Sequence, residues 1–293
     1  MPPTSPSPED SPAPDATRQD GTSQLDTLPA QPMQQAAWLR AQTPARVGQR
    51  RTGISLATSE VLDFQLAHGR ARDAVHAPLQ PNNLISALRS ITAQTTQEIL
   101  PLHSAAPGRA SYLQRPDLGR KLDEPSRQRL RSFAESHNHS FDLAFIIADG
   151  LSALAVERHA IPLLAELLPA LSNLNLAPIS VVEQARVAIG DEIAHALNAT
   201  LVIVLIGERP GLSSPDSLGA YITWNPQPGR TTDAERNCIS NIRTEGLSYT
   251  QATTRLLFFI QQARSQQATG VTLKDPEKDP ASEPNQLPAG QQP

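Results

Sequence analysis

The chain has 293 residues, of which 39% are hydrophobic and 18% are charged, and its formal net charge at pH 7 is −4. This acidic balance, with a pI near 6.0, argues against the broad basic face that nucleic-acid binding needs. No apolar run approaches the roughly 18 residues of a membrane-spanning helix, and the N-terminus lacks a basic segment followed by an apolar one. We therefore expect a cytoplasmic protein that binds neither nucleic acid nor a membrane.

The cysteine and the histidines do not predict a metal site. Cys238 is the only cysteine, which excludes an intrachain disulfide and a CxxC metal site. His137 and His139 are the only closely spaced histidines, and no cluster of carboxylates or cysteines adjoins them. We interpret these two histidines as a polar pair in a loop.

The two ends of the chain differ in composition from the middle. Residues 1–32 contain eight prolines among Ser, Thr, Asp and Gln, and the segment from Asp275 onward repeats this composition. Such segments bury too little apolar surface to offset the entropy lost on ordering. We predict disordered tails at residues 1–42 and 276–293. An open alternative for the end of the first tail is a short helix at Met33–Gln42.

Residues 43–140 are predicted to form a helical N-terminal lobe. One helix is predicted from Thr58, where Ser and Thr caps precede a periodic apolar pattern. A second is predicted in the stretch "NLISALRSITAQTTQEIL", ended by Pro101, and a third begins at Pro125, a residue suited to a first helical turn.

From Phe141 onward, short apolar runs alternate with helical patterns. The predicted strands are the runs "FDLAFIIADG", "APISVVEQA", "TLVIVLIGE" and "GAYITW", and one of the intervening helices is broken or restarted at Pro162. Strands that are apolar throughout and separated by helices indicate a parallel sheet covered on both faces. The sequence therefore predicts an α/β chain with a doubly wound parallel sheet.

In such sheets ligands bind beyond the carboxyl ends of the strands. Three segments that follow predicted strands, or end them, are candidates for the ligand site. The segment "ADGLS" lacks the GxGxxG spacing of a dinucleotide site, and Ser152 is not in a GxSxG elbow. The segment "QARVAIGD" offers Val187 beside a glycine, and "GERPG" offers Glu208 and Arg209 at the mouth of a buried strand.

Five long strings between Thr43 and Asp275 indicate the family. They are "TPARVGQRRTGISLATSEVLDFQLAHGRARDAVH", "YLQRPDLGRKLD", "ADGLSALAVERHA", "LIGERPGLSSPDSLGAYITW" and "AERNCISNIRTEGLSY". In this order, and without large gaps, they resemble the small (light) subunit of ethanolamine ammonia-lyase. The resemblance implies a Rossmann-like cobalamin-binding domain at residues 141–275, which holds adenosylcobalamin against a TIM barrel formed by a large subunit.

The resemblance also implies an activity. The family converts ethanolamine to acetaldehyde and ammonia, and homolysis of the cobalt–carbon bond yields the adenosyl radical that abstracts a substrate hydrogen. Residues 141–275 are too few for the ~250 residues of a TIM barrel, so this chain is predicted to be the non-barrel subunit of a hetero-oligomer. Ethanolamine is then bound on the large subunit, and no catalytic residue is assigned to this chain. The resemblance leaves open a location inside a protein-shelled microcompartment, for which a helix at Met33–Gln42 would be the encapsulation helix.

The family's cobalamin-contacting positions fall on Val187, Glu208 and Cys238. A corrin ring is a wide apolar disc fringed by primary amides, so Val187 would supply an aliphatic wall, Glu208 an acceptor, and Cys238 a small polarizable neighbour. The DxHxxG signature of proteins that place a histidine on cobalt is absent, so no histidine is assigned as a cobalt ligand.

Two other functions stay open at this point. A nucleotide-binding oxidoreductase would use the same fold, although it would need a glycine-rich first turn. A purely structural partner of the large subunit would need no ligand. Under that alternative Val187 is a core residue, Glu208 a solvated turn residue and Cys238 an inert buried thiol.

Overall fold

The structure, a computed structural model, describes residues 32–92, 97–137 and 139–274. The two predicted tails lie outside these residues, except that residues 32–42 are described. The described residues belong to two compact units, one of residues 32–60 and one of residues 61–274. The domain boundaries at residues 42/43 and 140/141 stay a prediction.

The first unit contains helix α1 (Pro32–Gln42) and a two-stranded antiparallel hairpin of β1 (Arg51–Thr52) and β2 (Ser55–Leu56). Arg40 donates hydrogen bonds to the carbonyl oxygens of Val47 and Gly48 and forms a salt bridge of 3.2 Å with Glu60. Helix α1 lies in the segment predicted to be a tail. Its apolar and polar residues are not separated onto opposite faces, so α1 lacks the amphipathic pattern of an encapsulation helix.

The remaining helices and strands alternate along the chain. The helices are α2 (Thr58–His76), α3 (Pro81–Ile91), α4 (Arg109–Gln114), α5 (Glu124–Ser136), α6 (Ala153–Leu167), α7 (Ile189–Ala196) and α8 (Tyr249–Gln266). The strands are β3 (Ile99–His103), β4 (Phe141–Ala148), β5 (Ile179–Glu183), β6 (Ala199–Gly207), β7 (Leu218–Trp224) and β8 (Arg236–Ile242). No described helix combines the length and the hydropathy that a bilayer span requires.

These six strands form one sheet in the order β3-β5-β4-β6-β7-β8. The pairs β3–β5, β5–β4 and β4–β6 are parallel, as predicted, whereas β6–β7 and β7–β8 are antiparallel. The reason is the connection after β6: residues 208–217 contain no helix, and a parallel return normally needs a helical crossover of a dozen or more residues.

The sheet has apolar layers on both faces, as the sequence predicted. Along β4, Leu143 and Phe145 face the layer that contains α3, α6 and α8, and Ala144 and Ile146 face the layer that contains α5 and α7. This alternation follows from the two-residue period of a strand. The mixed α/β class with helices on both faces is thereby confirmed.

Besides the β1–β2 hairpin and α4, which were not predicted, three elements differ from the sequence prediction. Strand β3 occupies the end of a segment predicted as helix; it lies at the sheet edge, where Pro101 removes no interior hydrogen bond. Strand β8 was not predicted, because its run "RNCISNI" is mostly polar. Helix α6 continues through Pro162 to Leu167, so the predicted break at this proline was wrong.

Candidate functional site

The loops after β4, β5 and β6 meet at the carboxyl ends of these strands. The three candidate segments of the sequence analysis therefore form one region. The N–H of Leu151 donates to the carbonyl oxygen of Gly207 at 2.9 Å, which joins the first loop to the end of β6. The N–H groups of Gln184 and Ala185 donate to the carboxylate of Asp149 at 2.9 and 3.0 Å, which joins the second loop to the end of β4.

Asp149 is a buried carboxylate that fixes the loop after β5. Its side chain is 1% exposed, and Arg109 approaches one oxygen at 3.5 Å. Gln184 has a φ of +55°, and the two hydrogen bonds to Asp149 hold the chain in this left-handed turn just before Arg186 and Val187. Burial raises the pKa of Asp149 to about 6, against the lowering effect of its backbone hydrogen bonds and of Arg109.

This raised pKa gives a testable dependence of stability on pH. The native state holds the Asp149 proton up to about pH 6, whereas the unfolded chain loses it near pH 4. The native state therefore binds more protons in this interval. The stabilising contribution of Asp149 is fully present below about pH 4 and is lost as the pH rises through about 6. We expect the stability of the wild type minus that of Asp149→Asn to decrease from pH 4 to pH 6.

Thermal unfolding of both proteins at several pH values measures this difference. The control is Asp117→Asn, because the hydrogen bonds from Arg115 lower the pKa of Asp117 and give the opposite slope. A difference between wild type and Asp149→Asn that is constant, or that grows with pH, contradicts the assignment.

Backbone atoms of the chain occupy the space beside Gly150 in the turn after β4. Gly150 has a φ of +56°, and a Cβ there would lie 2.2 Å from the carbonyl oxygen of Gly207. A Cβ on Gly207 would lie 2.0 Å from the carbonyl oxygen of Ser152. The hydroxyl of Ser152 accepts a hydrogen bond from the N–H of Ala155 and so caps α6. These glycines allow two backbone segments to approach each other, and the start of α6 offers no open phosphate cradle.

Tyr112 is buried between two arginines beside this turn. The guanidinium carbons of Arg109 and Arg186 lie 4.9 and 4.4 Å from the centroid of the Tyr112 ring. The Tyr112 hydroxyl donates to the carbonyl oxygen of Ala185 at 3.0 Å, and burial raises the pKa of this phenol. The Nε of Arg186 is buried and has no hydrogen-bond partner among the described residues.

A cleft of about 420 Å³ opens at these strand ends, and we call it the central cleft. Two predicted site residues, Val187 and Glu208, line it together with Arg186, Tyr221 and Ser240. The third predicted residue, Cys238, lies directly opposite Tyr221 in the β7–β8 register, and the two side chains are hydrogen-bonded. The structure thus brings all three predicted residues around Tyr221, and their role in binding stays a prediction.

Glu208 is held by the ends of three strands. Its carboxylate accepts hydrogen bonds from the hydroxyl of Ser217, from the hydroxyl of Ser240 at 2.5 Å and from the N–H of Asn241 at 3.2 Å. A Cβ on Gly219 would lie 2.9 Å from the same carboxylate, so the glycine leaves room for it. Glu208 is thus a partly buried, hydrogen-bonded loop residue, and its role stays a prediction.

The structural interpretations of Val187 and Cys238 also change. Val187 is partly exposed: it lines the cleft and also packs against the hydrophobic core. Cys238 is exposed rather than buried. Burial first, and then Cys238 and Glu208, raise the pKa of the Tyr221 hydroxyl. The phenol is therefore neutral near pH 7 and can donate a hydrogen bond.

A second cleft, of about 940 Å³, lies next to the first, and we call it the lateral cleft. It shares Arg186, Val187 and Tyr221 with the central cleft and is otherwise lined by residues of the segments 116–127, 188–192 and 228–236. One wall is a buried pair in which Arg236 donates two hydrogen bonds, of 2.8 and 2.7 Å, to the carboxylate of Asp191.

Sequence analysis missed Arg186, Tyr221, Tyr112 and Asp149 as site residues. Arg186 directly precedes Val187 in the quoted segment, and Tyr221 stands in the predicted strand "GAYITW". Alternation along that strand could have placed Tyr221 on a ligand-facing surface. No local signal points to Tyr112, which reaches the site only through tertiary contacts.

The histidine pair lies elsewhere and packs on aromatic rings. The ring of His137 stacks on Phe133 at 4.2 Å between centroids, and His139 meets Phe141 at 4.7 Å. Within residues 32–92, 97–137 and 139–274, no three His, Cys, Asp or Glu side chains lie close enough together to hold a metal ion.

Comparison with known proteins gives a consistent family. The family model "Ethanolamine ammonia-lyase light chain (EutC)" matches residues 33–274. The chain is 54% identical over 253 residues to the ethanolamine ammonia-lyase small subunit of Pseudomonas fluorescens (strain Pf0-1), covering 86% of this chain and 90% of that protein. Small subunits of Pseudomonas aeruginosa (strain LESB58) and Pseudomonas syringae pv. tomato are 54% and 53% identical over 239 residues, covering 81% of this chain and 86% and 82% of those proteins. The chain therefore belongs to the family of ethanolamine ammonia-lyase small subunits, as the five sequence strings predicted.

Proposed function

We propose that this chain binds adenosylcobalamin in the central cleft, at an interface with the large subunit, and so supports the conversion of ethanolamine to acetaldehyde and ammonia in the cytoplasm. One observation supports the proposal most strongly. Val187 follows β5, Glu208 follows β6 and Cys238 lies within β8, and yet the three residues converge around Tyr221.

The side chains of the central cleft fit the chemistry of a corrin ring. Val187 and the ring of Tyr221 offer apolar surface to the disc. The primary amides on the rim need both acceptors and donors, and the cleft supplies the Glu208 carboxylate and the neutral Tyr221 hydroxyl. A carboxylate has about four acceptor sites, so the three hydrogen bonds that Glu208 accepts within the chain leave capacity for a ligand.

When bound, adenosylcobalamin supplies the radical chemistry through homolysis of its cobalt–carbon bond. The residues of this chain contribute binding and orientation. Asp149 fixes the loop that carries Arg186 and Val187, and the Ser217 and Ser240 hydroxyls hold Glu208 in one position. The large subunit contributes the substrate site under this proposal.

A purely structural subunit is the second candidate, and one observation favours it. The three hydrogen bonds to Glu208 join the ends of β6, β7 and β8, which is sufficient reason for a carboxylate at this position. A nucleotide-binding oxidoreductase has less support, because the Gly150 turn is filled by backbone and Ser152 caps α6.

Glu208→Gln distinguishes the two candidates. The amide keeps the shape but loses the charge, and it turns donors toward groups that are themselves donors. Loss of a hydrogen bond to a charged acceptor should weaken cobalamin binding by the two-subunit complex about 10- to 100-fold. Because the chain's own hydrogen bonds are affected as well, we also expect a loss of about 1–3 kcal/mol in the free energy of unfolding.

Cobalamin affinity and thermal stability should be measured on the same samples. The control is Glu245→Gln, since Glu245 is 73% exposed and pairs with Arg243 away from the cleft. A structural subunit predicts lower stability with unchanged cobalamin affinity in the folded complex. That outcome would remove Glu208 from the binding site.

A further inference from the structure

The loop of residues 208–217, between β6 and β7, closes on itself at the central cleft. The N–H of Glu208 donates to the carbonyl oxygen of Ser217 at 2.9 Å, and the Ser217 hydroxyl donates in turn to the Glu208 carboxylate. The position of Glu208 therefore depends on where Ser217 is held. Asp216, the residue before Ser217, is buried and connects the loop to helix α6.

Helix α6 and its capping residue hold Pro215 and Asp216 at three points. The hydroxyl of Ser152, which caps α6, donates to the carbonyl oxygen of Pro215 at 2.8 Å. Within the helix, Arg158 donates to Oδ2 of Asp216 at 2.7 Å, and Nε2 of His159 lies 3.4 Å from the same oxygen. The Arg158 side chain is 56% exposed, whereas that of His159 is 4% exposed. His159 is therefore the contact to Asp216 from which water is excluded.

The charge of Asp216 fixes the tautomer of His159. Burial acts to raise the pKa of Asp216, but Arg158 and His159 bring it below its usual value, so this carboxylate is ionised at pH 7. Burial lowers the pKa of His159 in spite of Asp216, so the imidazole is neutral and carries a single N–H. Because a carboxylate only accepts hydrogen bonds, this N–H is on Nε2, which faces Asp216.

The other ring nitrogen of His159 joins this contact to helix α8. Nδ1 is an acceptor in this tautomer, and the hydroxyl of Tyr249, 2.8 Å away, donates to it. Tyr249 is the first residue of α8, so the chain of contacts Tyr249–His159–Asp216 extends from α8 through α6 to the loop. An apolar side chain could fill the same space, but a buried polar network with paired groups specifies one arrangement of the loop.

We propose that His159 is a positioning residue for the cofactor site: through Asp216 it holds the loop in the arrangement that places Glu208 in the central cleft. The assignment rests on the proposed function, in which Glu208 contacts cobalamin. Tyr249 is a second positioning residue, because its O–H stabilises the tautomer that presents Nε2–H to Asp216. Among the described residues that line the two clefts, none belongs to this chain of contacts, so its effect on a ligand is indirect.

The test measures cobalamin affinity and the melting temperature of the two-subunit complex. His159→Leu removes both polar contacts of the ring, and Tyr249→Phe removes only the O–H. We expect each to weaken cobalamin binding about 2- to 10-fold, as for the loss of one hydrogen bond. His159→Gln can present an amide N–H to Asp216 and should keep most of the affinity. The control is Thr250→Val, which removes a 3.1 Å hydrogen bond to Glu166 on the exposed side of the same two helices and should leave affinity unchanged.

A double-mutant cycle with Glu208→Gln separates positioning from general support of the fold. In complexes that already contain Glu208→Gln, His159→Leu and Tyr249→Phe should cause no further loss of affinity. Equal losses with and without Glu208→Gln, or a lower melting temperature with unchanged affinity, would make His159 a core residue and overturn the assignment. Tyr249→Phe gives the same decision if His159→Leu does not fold. If Glu208→Gln alone leaves the affinity unchanged, the role of Glu208 in the proposed function fails, and the positioning role fails with it.

Discussion

The isolated chain, even with saturating adenosylcobalamin, is expected to show no turnover of ethanolamine, and addition of the large subunit is expected to restore turnover. The second unit, residues 61–274, is built on one open six-stranded sheet, which is not a substrate barrel. The residues that line the central cleft can bind and orient a cofactor, but the substrate site belongs to the other chain under the proposed function. The effect is therefore all or none.

The measurement is acetaldehyde release by each subunit alone and by the mixture, all with the same cofactor concentration. The large subunit alone serves as the control, because it contains the proposed substrate site but lacks the cleft described here. Acetaldehyde release by the isolated chain would contradict the proposal that the substrate site lies on the large subunit. Full turnover by the large subunit alone would contradict the proposal that the cofactor needs the cleft of this chain.

Removing one partner of the buried Arg236–Asp191 pair is expected to cause the largest loss of stability. The two side chains are 2% and 3% exposed, and they share two hydrogen bonds between β8 and the first turn of α7. Asp191→Ala removes both hydrogen bonds to the buried guanidinium and leaves only the exposed Asp233 carboxylate, at 3.5 Å, as its counter-charge. Removing one partner of a buried pair typically costs about 3–5 kcal/mol. Chemical unfolding of the variant measures this cost.

The chain provides a matched control for this pair. Arg115 and Asp117 form the same two-bond arrangement, at 2.9 and 2.7 Å, but their side chains are 62% and 54% exposed. Water and salt screen the attraction between exposed charges, so Asp117→Ala should have little effect on stability. If Asp191→Ala and Asp117→Ala lower the free energy of unfolding equally, burial does not determine how much such a pair contributes to stability.

Strands β4, β5 and β6 could be predicted because each is a continuous apolar run, which is the pattern of a strand covered on both faces. Strand β8 could not, since its buried positions are separated by polar ones and its pairing with β7 is long-range. The direction of β7 depends on the length and content of the preceding loop rather than on its own residues.

The candidate site was predicted less completely, and for a different reason. Val187, Glu208 and Cys238 were identified through family resemblance, and the chain pattern alone indicated only that strand ends should meet. The partners of Arg186 and the three donors to Glu208 are tertiary contacts that no local periodicity contains. Which side chains line the cleft depends on which loops approach each other in the folded chain.

Cobalamin retention by the two-subunit complex tests the central claim most directly, with Val187→Asp as the decisive variant. Val187 lines both clefts, and a carboxylate there would place an unpaired charge against the apolar corrin. Val271→Asp makes the same change at a residue that is 78% exposed. After gel filtration, we expect complexes with wild-type or Val271→Asp chain to retain cobalamin, and the intact Val187→Asp complex to lose it. Equal retention by the Val187→Asp complex would contradict cobalamin binding at this cleft.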